Sequence, residues 1–311
     1  MFLEALNSEN DQRIEHITAI VPVTFRRNSF VVVWVWSPSD ATLEFFNFYM
    51  KFDKSKWKEL DINTDSLWII GPRAKGGKHE NVYHGNFVPQ IPNQMIRRYA
   101  DENATILDMF MGSGTTLFEC ETLGRNYIGF DINDDIINHV ESKMDSTSPI
   151  KYYIHNCDIL AKEKVKDLIE TDLKGIGERT VDLIMSHPPY LDIVQFTDKK
   201  EDLSNITNIN DFITKFIEAV NNVWQYLKVG KYFCLVIGDI YRDSEVVPLG
   251  FYLMYAIKRN FNCKLKGIVV KDMVGNRAKI GIESLWRYRA LKSDNFLFKH
   301  EYIYVFKKTS K

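Results

Sequence analysis

The chain has 311 residues, 45% hydrophobic and 13% aromatic, enough for one large domain or a domain with an appendage around a sizeable core. Lys and Arg number 40 against 41 Asp and Glu, so no global field draws in nucleic acid and any such binding must rest on local patches. Cys120, Cys157, Cys234 and Cys263 lack the spacing of a zinc site or a disulfide framework, and the absence of a membrane-length run or a leader predicts a cytoplasmic chain.

The first 66 residues are expected to form a separate N-terminal region. Within it, 17–25 and 30–36 predict strands, the second an apolar run bounded by Ser37-Pro38. Residues 41–52 suit a helix or another strand, with Phe45, Phe46, Phe48 and Tyr49 as core or as a base-stacking platform. Lys51, Lys54, Lys56 and Lys58 crowd one segment, either a solvated face or a phosphate-contacting one. A short strand at 67–70 leads into a glycine-rich loop with Arg73, Lys75 and Lys78, suited to an exposed loop or a DNA-backbone contact. Pro89 and Pro92 then fix an extended entry to a helix over 93–99.

From Thr105 the pattern is regular: strand 105–110, helix 115–123, strand 126–130, helix 133–143, strand 151–155, helix 160–172, strand 181–185. Such alternation predicts an α/β fold with a doubly wound parallel sheet and right-handed crossovers. The polar stretch 197–210 is expected to be a mobile loop at the mouth of the site. Helix 211–227, capped by Gly230, follows. Strand 232–237, helix 247–260 and strands 263–270 and 300–307 complete the chain, the last two able to pair antiparallel around an insertion at 271–299.

The stretch that organises the rest is Asp108-Met109-Phe110-Met111-Gly112-Ser113-Gly114-Thr115-Thr116. A buried strand broken by Gly-x-Gly and resumed as a helix lets a ligand approach backbone N–H groups at the helix N-terminus. Thr115 or Thr116 suits the cap. The next strand ends in Asp131, about twenty residues beyond the glycines, where a carboxylate can hold a ribose diol. A helix cap is its competing role, and Asp158, after the third strand, has the same alternative. The fourth strand ends in Ser186-His187-Pro188-Pro189-Tyr190. Four strands thus deliver polar residues to one sheet edge, the expected site.

Asp108-Met109-Phe110-Met111-Gly112-Ser113-Gly114 resembles the S-adenosylmethionine motif of the amino-methylating DNA methyltransferases. His187-Pro188-Pro189-Tyr190 stands where that family has its (Asp/Asn/Ser)-Pro-Pro-(Tyr/Phe/Trp) catalytic motif. The resemblance runs from about Leu67 to Lys307. It implies a Rossmann-like doubly wound mixed sheet of the class I methyltransferase type, with an N-terminal appendage and a catalytic domain over 67–311. The implied cofactor is S-adenosyl-L-methionine. Asn86, Phe87 and Pro89 would line its methionine side. Gly112 and Gly114 would let the backbone approach, with Thr115 beside them, and Asp108 would meet the methionine amine. Asp131 would take the ribose hydroxyls and Asp158 the adenine amine, between apolar walls of Phe110 and Ile132.

An exocyclic base amine is a poor nucleophile because its lone pair is delocalised into the ring. In the resembled family, acceptors for both N–H groups localise that pair: here the Pro188 carbonyl and the side chain at 187. Pro189 stiffens the loop, and Tyr190 would stack on a base flipped from the duplex. His187 departs from the Asp, Asn or Ser of the family, and an imidazole accepts only when neutral. Activity is therefore expected to fall below about pH 6.5. The context around Ser186 looks closer to the Thr-Ser-Pro-Pro-Tyr form of the cytosine-N4 enzymes, which puts cytosine N4 slightly ahead of adenine N6. Cytosine C5 methylation needs a Pro-Cys nucleophile, and the sequence has none.

The glycine motif precedes the Pro-Pro motif, and no large domain follows, so target recognition is expected from 1–80, from 271–299 or from both. In the insertion, Lys271, Arg277, Lys279, Arg287, Arg289 and Lys292 flank Trp286 and Tyr288, suiting DNA contact or a surface loop with an apolar anchor. Ser186, Arg277, Lys279, Trp286 and Arg287 are the candidate substrate contacts. Double-stranded DNA is the implied partner, with a cognate restriction endonuclease, and no metal is implied. Two other readings stay open: an RNA base amino-methyltransferase, and a non-catalytic DNA-recognition or cofactor-binding subunit suggested by His187.

Overall fold

The computed structural model describes residues 17–25, 28–35, 58–80, 85–273 and 283–310. The chain divides into two units, Met1–Lys51 and Phe52–Lys311. In the first, β1 (Ile17–Phe25) and β2 (Asn28–Val35) pair antiparallel. The element expected at 41–52 and the side chains of Lys51, Lys54 and Lys56 lie outside the described residues.

The second unit runs β3 (Leu67–Trp68), α1 (Gln90–Tyr99), β4 (Thr105–Asp108), α2 (Thr115–Leu123), β5 (Asn126–Asp131), α3 (Asp134–Glu141), β6 (Tyr152–Asn156), α4 (Lys162–Ile176) and β7 (Val181–Ser186). It continues with α5 (Ile209–Trp224), β8 (Leu227–Ile237), the small hairpin β9 (Ile240–Arg242) and β10 (Glu245–Val247), α6 (Leu249–Asn260), β11 (Cys263–Asp272), α7 (Glu283–Lys292) and β12 (His300–Lys308). Eight strands form one sheet in the order β3-β11-β12-β8-β7-β4-β5-β6. The block from β8 to β6 is parallel, whereas β12 runs antiparallel to both β8 and β11. This is the mixed sheet expected from the family resemblance.

The sheet is buried on both faces, which is why its central strands are near-continuous apolar runs. Neighbouring residues of a strand serve opposite cores. Leu107, Ile184 and Phe233 pack with Val165, Phe212, Phe216 and Leu253 of α4, α5 and α6. Ile106, Leu183 and Val236 pack with Ile91, Met95, Leu117 and Val140 of α1, α2 and α3.

Four details differ from the sequence-based expectation. α1 begins at Gln90, because Pro89 with φ −55° is its N-cap and Pro92 falls in the first turn, where a missing N–H costs nothing. Gly114, at φ 78°, begins α2 without a side-chain cap, so neither Thr115 nor Thr116 caps it. Gly230 lies inside β8 rather than closing α5, which ends at Trp224 with Gln225 as its cap. The stretch expected to be a mobile loop is knit by its own bonds: Asp202 accepts from the N–H groups of Thr197 and Ser204, and Asn205 donates to the carbonyls of Thr197 and Lys199. No helix among the described residues is long and apolar enough to cross a membrane.

Candidate active site

A cavity of about 440 Å³ opens where β4, β5, β6 and β7 end, within the roughly 300–1,000 Å³ range of small-molecule sites. Its position follows from the topology, because in open α/β sheets ligands bind beyond the carboxyl ends of the parallel strands.

One half of the cavity is built from local turns. After β4 the chain crosses the sheet edge, with the Met109 N–H donating to the Met185 carbonyl (3.0 Å) and the Met111 N–H to that of Phe130 (2.8 Å). Gly112 follows at φ 53°, a left-handed conformation that favours glycine. Its N–H donates to Asp131 Oδ2 at 2.8 Å, and the Asn133 N–H donates to Asp131 Oδ1 at 2.9 Å. Asn133, not Asp131, caps α3, its side chain accepting from the N–H groups of Asp135 and Ile136. Asp131 therefore sits in the cavity wall without a capping role, and burial pushes its carboxyl up to about 6.

Asp158 also lines the cavity and accepts the Leu160 N–H at 2.8 Å, while Ala161 begins α4. Burial raises its carboxyl above the usual range. Asn86, Phe87, Phe110, Thr115 and Ile132 complete this side. The Asn86 Nδ2 group is buried with no hydrogen-bond partner, a donor that a ligand would satisfy.

Four residues singled out at or beside the two motifs do not line the cavity. Pro89 is the cap of α1. Gly114 has a packing role, since a Cβ there would meet Val140 Cγ1 at 2.9 Å and Phe118 Cζ at 3.1 Å. Asp108 is fully buried beneath the turn and accepts the Phe110 N–H at 3.2 Å. Its carboxyl is pushed up to about 6 by burial, opposed by the Thr116 hydroxyl and the Phe110 N–H. Ser186 is fully buried in β7.

The other half is built around the segment after β7. His187, Pro188, Pro189 and Tyr190 all line the cavity, together with Lys271 and Glu301 from β11 and β12. The imidazole packs against Phe87, ring centroids 5.0 Å apart, and meets the Tyr190 ring edge-on at 5.7 Å. His187 Nε2 lies 3.3 Å from Tyr190 Oη, which donates to Glu301 Oε2 at 3.1 Å. Lys271 Nζ donates to Glu301 Oε1 at 2.9 Å. Lys271 and Glu301 are direct partners in the β11–β12 register and both are buried. The Tyr190 ring fits because residue 238 is glycine: a Cβ there would meet Tyr190 Cε2 at 3.0 Å.

Burial pushes the His187 imidazole down to about 4, with Glu301 opposing the shift and Lys271 adding to it. This corrects the expectation that His187 protonates near pH 6.5. Glu301 escaped sequence reasoning, although one acid in the apolar strand around Glu301-Tyr302-Ile303-Tyr304 was a signal. Lys271 was noted only as one cation of the insertion.

The candidate substrate contacts fall elsewhere. Arg277 and Lys279 lie outside the described residues. Trp286 and Arg287 sit on α7, away from the cavity lining, with the Arg289 guanidinium 5.2 Å from the Trp286 ring centroid. In the glycine-rich loop, Lys78 pairs with Glu121 at 2.7 Å and Arg73 donates to the Phe87 carbonyl, leaving Lys75 exposed.

Two family profiles match: one described as DNA methylase over residues 18–142, the other as D12 class N6 adenine-specific DNA methyltransferase over residues 84–229. The Type II methyltransferase M.HinfI of Haemophilus influenzae is 28% identical over 181 residues, covering 57% of this chain and 50% of that protein. M.HpaI of Haemophilus parainfluenzae is 42% identical over 96 residues, 31% of each chain. M.MjaII of Methanocaldococcus jannaschii is 35% identical over 96 residues, 28% of this chain and 18% of that one. The matches span half or less of the length of these relatives. Together the two profiles take in the glycine turn, Asp131 and the Pro-Pro-Tyr segment, and over these residues the chain is similar to the DNA methyltransferases of the N6/N4 amino-methylating type.

Proposed function

We propose that the protein is an S-adenosylmethionine-dependent DNA methyltransferase acting on the exocyclic amino group of a flipped base, with adenine N6 ahead of cytosine N4. The observation that carries this reading is the meeting, in one cavity, of the Asp131 carboxyl and the half-buried His187 imidazole, which burial pushes toward its neutral form, beside Pro188. S-adenosylmethionine would supply an electrophilic sulfonium methyl. The cavity suits such a group: its volume, the unpartnered Asn86 amide and the carboxylates of Asp131 and Asp158 match a polar, hydroxyl-bearing cofactor.

The residues of the chain then divide the work. Asp131 accepts hydroxyls, Asp158 accepts an amine, and Phe110 and Ile132 flank an aromatic ring. His187 and the Pro188 carbonyl accept the two N–H groups of the target amine, drawing its lone pair out of conjugation. The Tyr190 ring offers a surface against which the extruded base packs, with Phe87 and Ile193 as apolar neighbours in the same cavity.

Adenine N6 is favoured over cytosine N4 by the description of the D12 profile. The context that pointed to cytosine is weakened as well, because Ser186 is buried off the cavity and cannot meet a base. In this reading residues 67–311 are the catalytic part and 1–66 an accessory part in target recognition. The exposed Arg287, Tyr288 and Arg289 of α7 contact the DNA backbone, and a cognate restriction endonuclease shares the target site. Incubation with methyl-labelled S-adenosylmethionine and unmethylated genomic DNA should transfer label to DNA. Label appearing only in RNA, or in neither polymer, would overturn the reading.

A further inference from the structure

Lys271 and Glu301 lie on β11 and β12, the last two strands in chain order and far in sequence from the motif at 187–190, yet their ion pair reaches the imidazole through one phenol. The direction of the hydrogen bonds along this chain is determined. Glu301 is ion-paired to Lys271 at 2.9 Å, so it is a carboxylate and only accepts. The Lys271 ammonium fills Oε1 and the Tyr190 hydroxyl fills Oε2. With its one proton committed to Glu301, Tyr190 Oη has only lone pairs to offer His187 Nε2 at 3.3 Å. Nε2 must then carry the imidazole proton.

We propose that the buried Lys271–Glu301 pair, acting through Tyr190, fixes His187 as the Nε2–H tautomer and so leaves Nδ1 as the acceptor for the target amine. The inference rests on the amino-methylation reading for its consequence but not for its geometry. It explains how an imidazole works where the resembled family has Asp, Asn or Ser: a neutral histidine presents one acceptor, and the relay selects which nitrogen it is. It also accounts for a buried ion pair beside the cavity, an arrangement whose desolvation cost makes it weak evidence of a stabilising role. Lys271 and Glu301 are positioning residues, since their hydrogen bonds reach His187 only through Tyr190.

Glu301→Gln tests the polarity. The carboxamide keeps one acceptor oxygen, which Lys271 retains, and turns its NH₂ toward Tyr190. Tyr190 would then accept from Gln and donate to His187, moving the proton to Nδ1 and removing the acceptor. Tautomers are read directly by ¹⁵N spectra of protein labelled at histidine ring nitrogens, the His187 signal being identified by its loss in His187→Gln. The wild type should show the Nε2–H pattern and Glu301→Gln the Nδ1–H pattern, with kcat falling about a hundredfold and S-adenosylmethionine affinity unchanged. Tyr190→Phe, which keeps the ring and cuts the relay, should give a mixture of tautomers and a smaller loss. If Glu301→Gln does not fold, the double variant Lys271→Met/Glu301→Leu, which buries no charge and removes the acceptor of the Tyr190 hydroxyl, should likewise lose the Nε2–H preference and give a mixture of tautomers. An Nδ1–H pattern in the wild type, or a tautomer unaltered by either variant, would overturn the inference. The spectra need no substrate, so a failure of the methyltransferase reading would leave this result standing and the two failures are distinct.

Discussion

The two halves of the cavity are assembled in opposite ways. The Asp131 half comes from consecutive strand–turn–helix units, each close to its partner in sequence: Gly112 and Asp131 are bonded across nineteen positions. The His187 half joins β7 to β11 and β12, with Tyr190 and Glu301 bonded across 111 positions. Burial acts on both but with opposite chemical results. It raises the acids Asp131 and Asp158 and lowers the base His187, in each case by penalising the charged form. On one side this makes a carboxylate that releases its desolvation cost when hydroxyls reach it. On the other it makes an acceptor that stays neutral where an exposed histidine would not.

The sharpest way to separate the halves is to remove one acceptor from each. Asp131→Ala should weaken S-adenosylmethionine binding by roughly a hundredfold to ten-thousandfold, from two charge-assisted hydrogen bonds at about 1.5–3 kcal/mol each, as read by calorimetry. His187→Ala should lower kcat about a hundredfold with the cofactor dissociation constant unchanged; a matching loss of cofactor affinity would mean the halves are not separate.

The pH response should split in the same way. With the Asp131 carboxyl at about 6, cofactor affinity should weaken toward tenfold per pH unit as pH falls below that value, because protonation removes the acceptor. The transfer step at saturating cofactor should stay flat to about pH 5, since His187 protonates only at about 4. A transfer rate that falls below pH 6.5 under saturation would contradict the buried, neutral imidazole.

Asp108 gives a smaller, stability-only effect. Its carboxyl rises from 3.8 unfolded to about 6 folded. Between those values the folded state binds more protons, so stability falls as pH rises through the window and the penalty is complete above about 6. The penalty is on the order of 3 kcal/mol. Asp108→Asn should therefore be more stable than the parent near pH 7.5 and lose that advantage near pH 4, as read by denaturant unfolding. The smallest expected effect is on α7: Arg287→Ala should reduce the salt dependence of DNA binding by about one phosphate contact and leave cofactor affinity untouched.

The same contrast explains what could be read from sequence. The strands and helices from Thr105 to Ser186 were legible because each apolar run stops at a glycine, an acid or a proline, and Asp131 was legible because a fixed spacing from the glycines puts it at a neighbouring strand end. Gly114 lies off the cavity lining, and a Cβ there would meet Val140, a packing contact that Gly-x-Gly alone does not reveal. Gly114, left-handed at φ 78°, takes the N-cap position of α2 in place of Thr115 or Thr116. The state of His187 was not legible at all. Its neutrality depends first on burial, and its proposed tautomer on Lys271 and Glu301, which pair across β11 and β12 beside β8.

The most direct measurement is a digest of unmethylated genomic DNA after incubation with the protein and S-adenosylmethionine, analysed for modified nucleosides by mass spectrometry. N6-methyladenine in the wild-type reaction, reduced about a hundredfold with His187→Ala, is the result this account predicts. DNA free of any amino-methylated base, from protein that still binds S-adenosylmethionine, would contradict it.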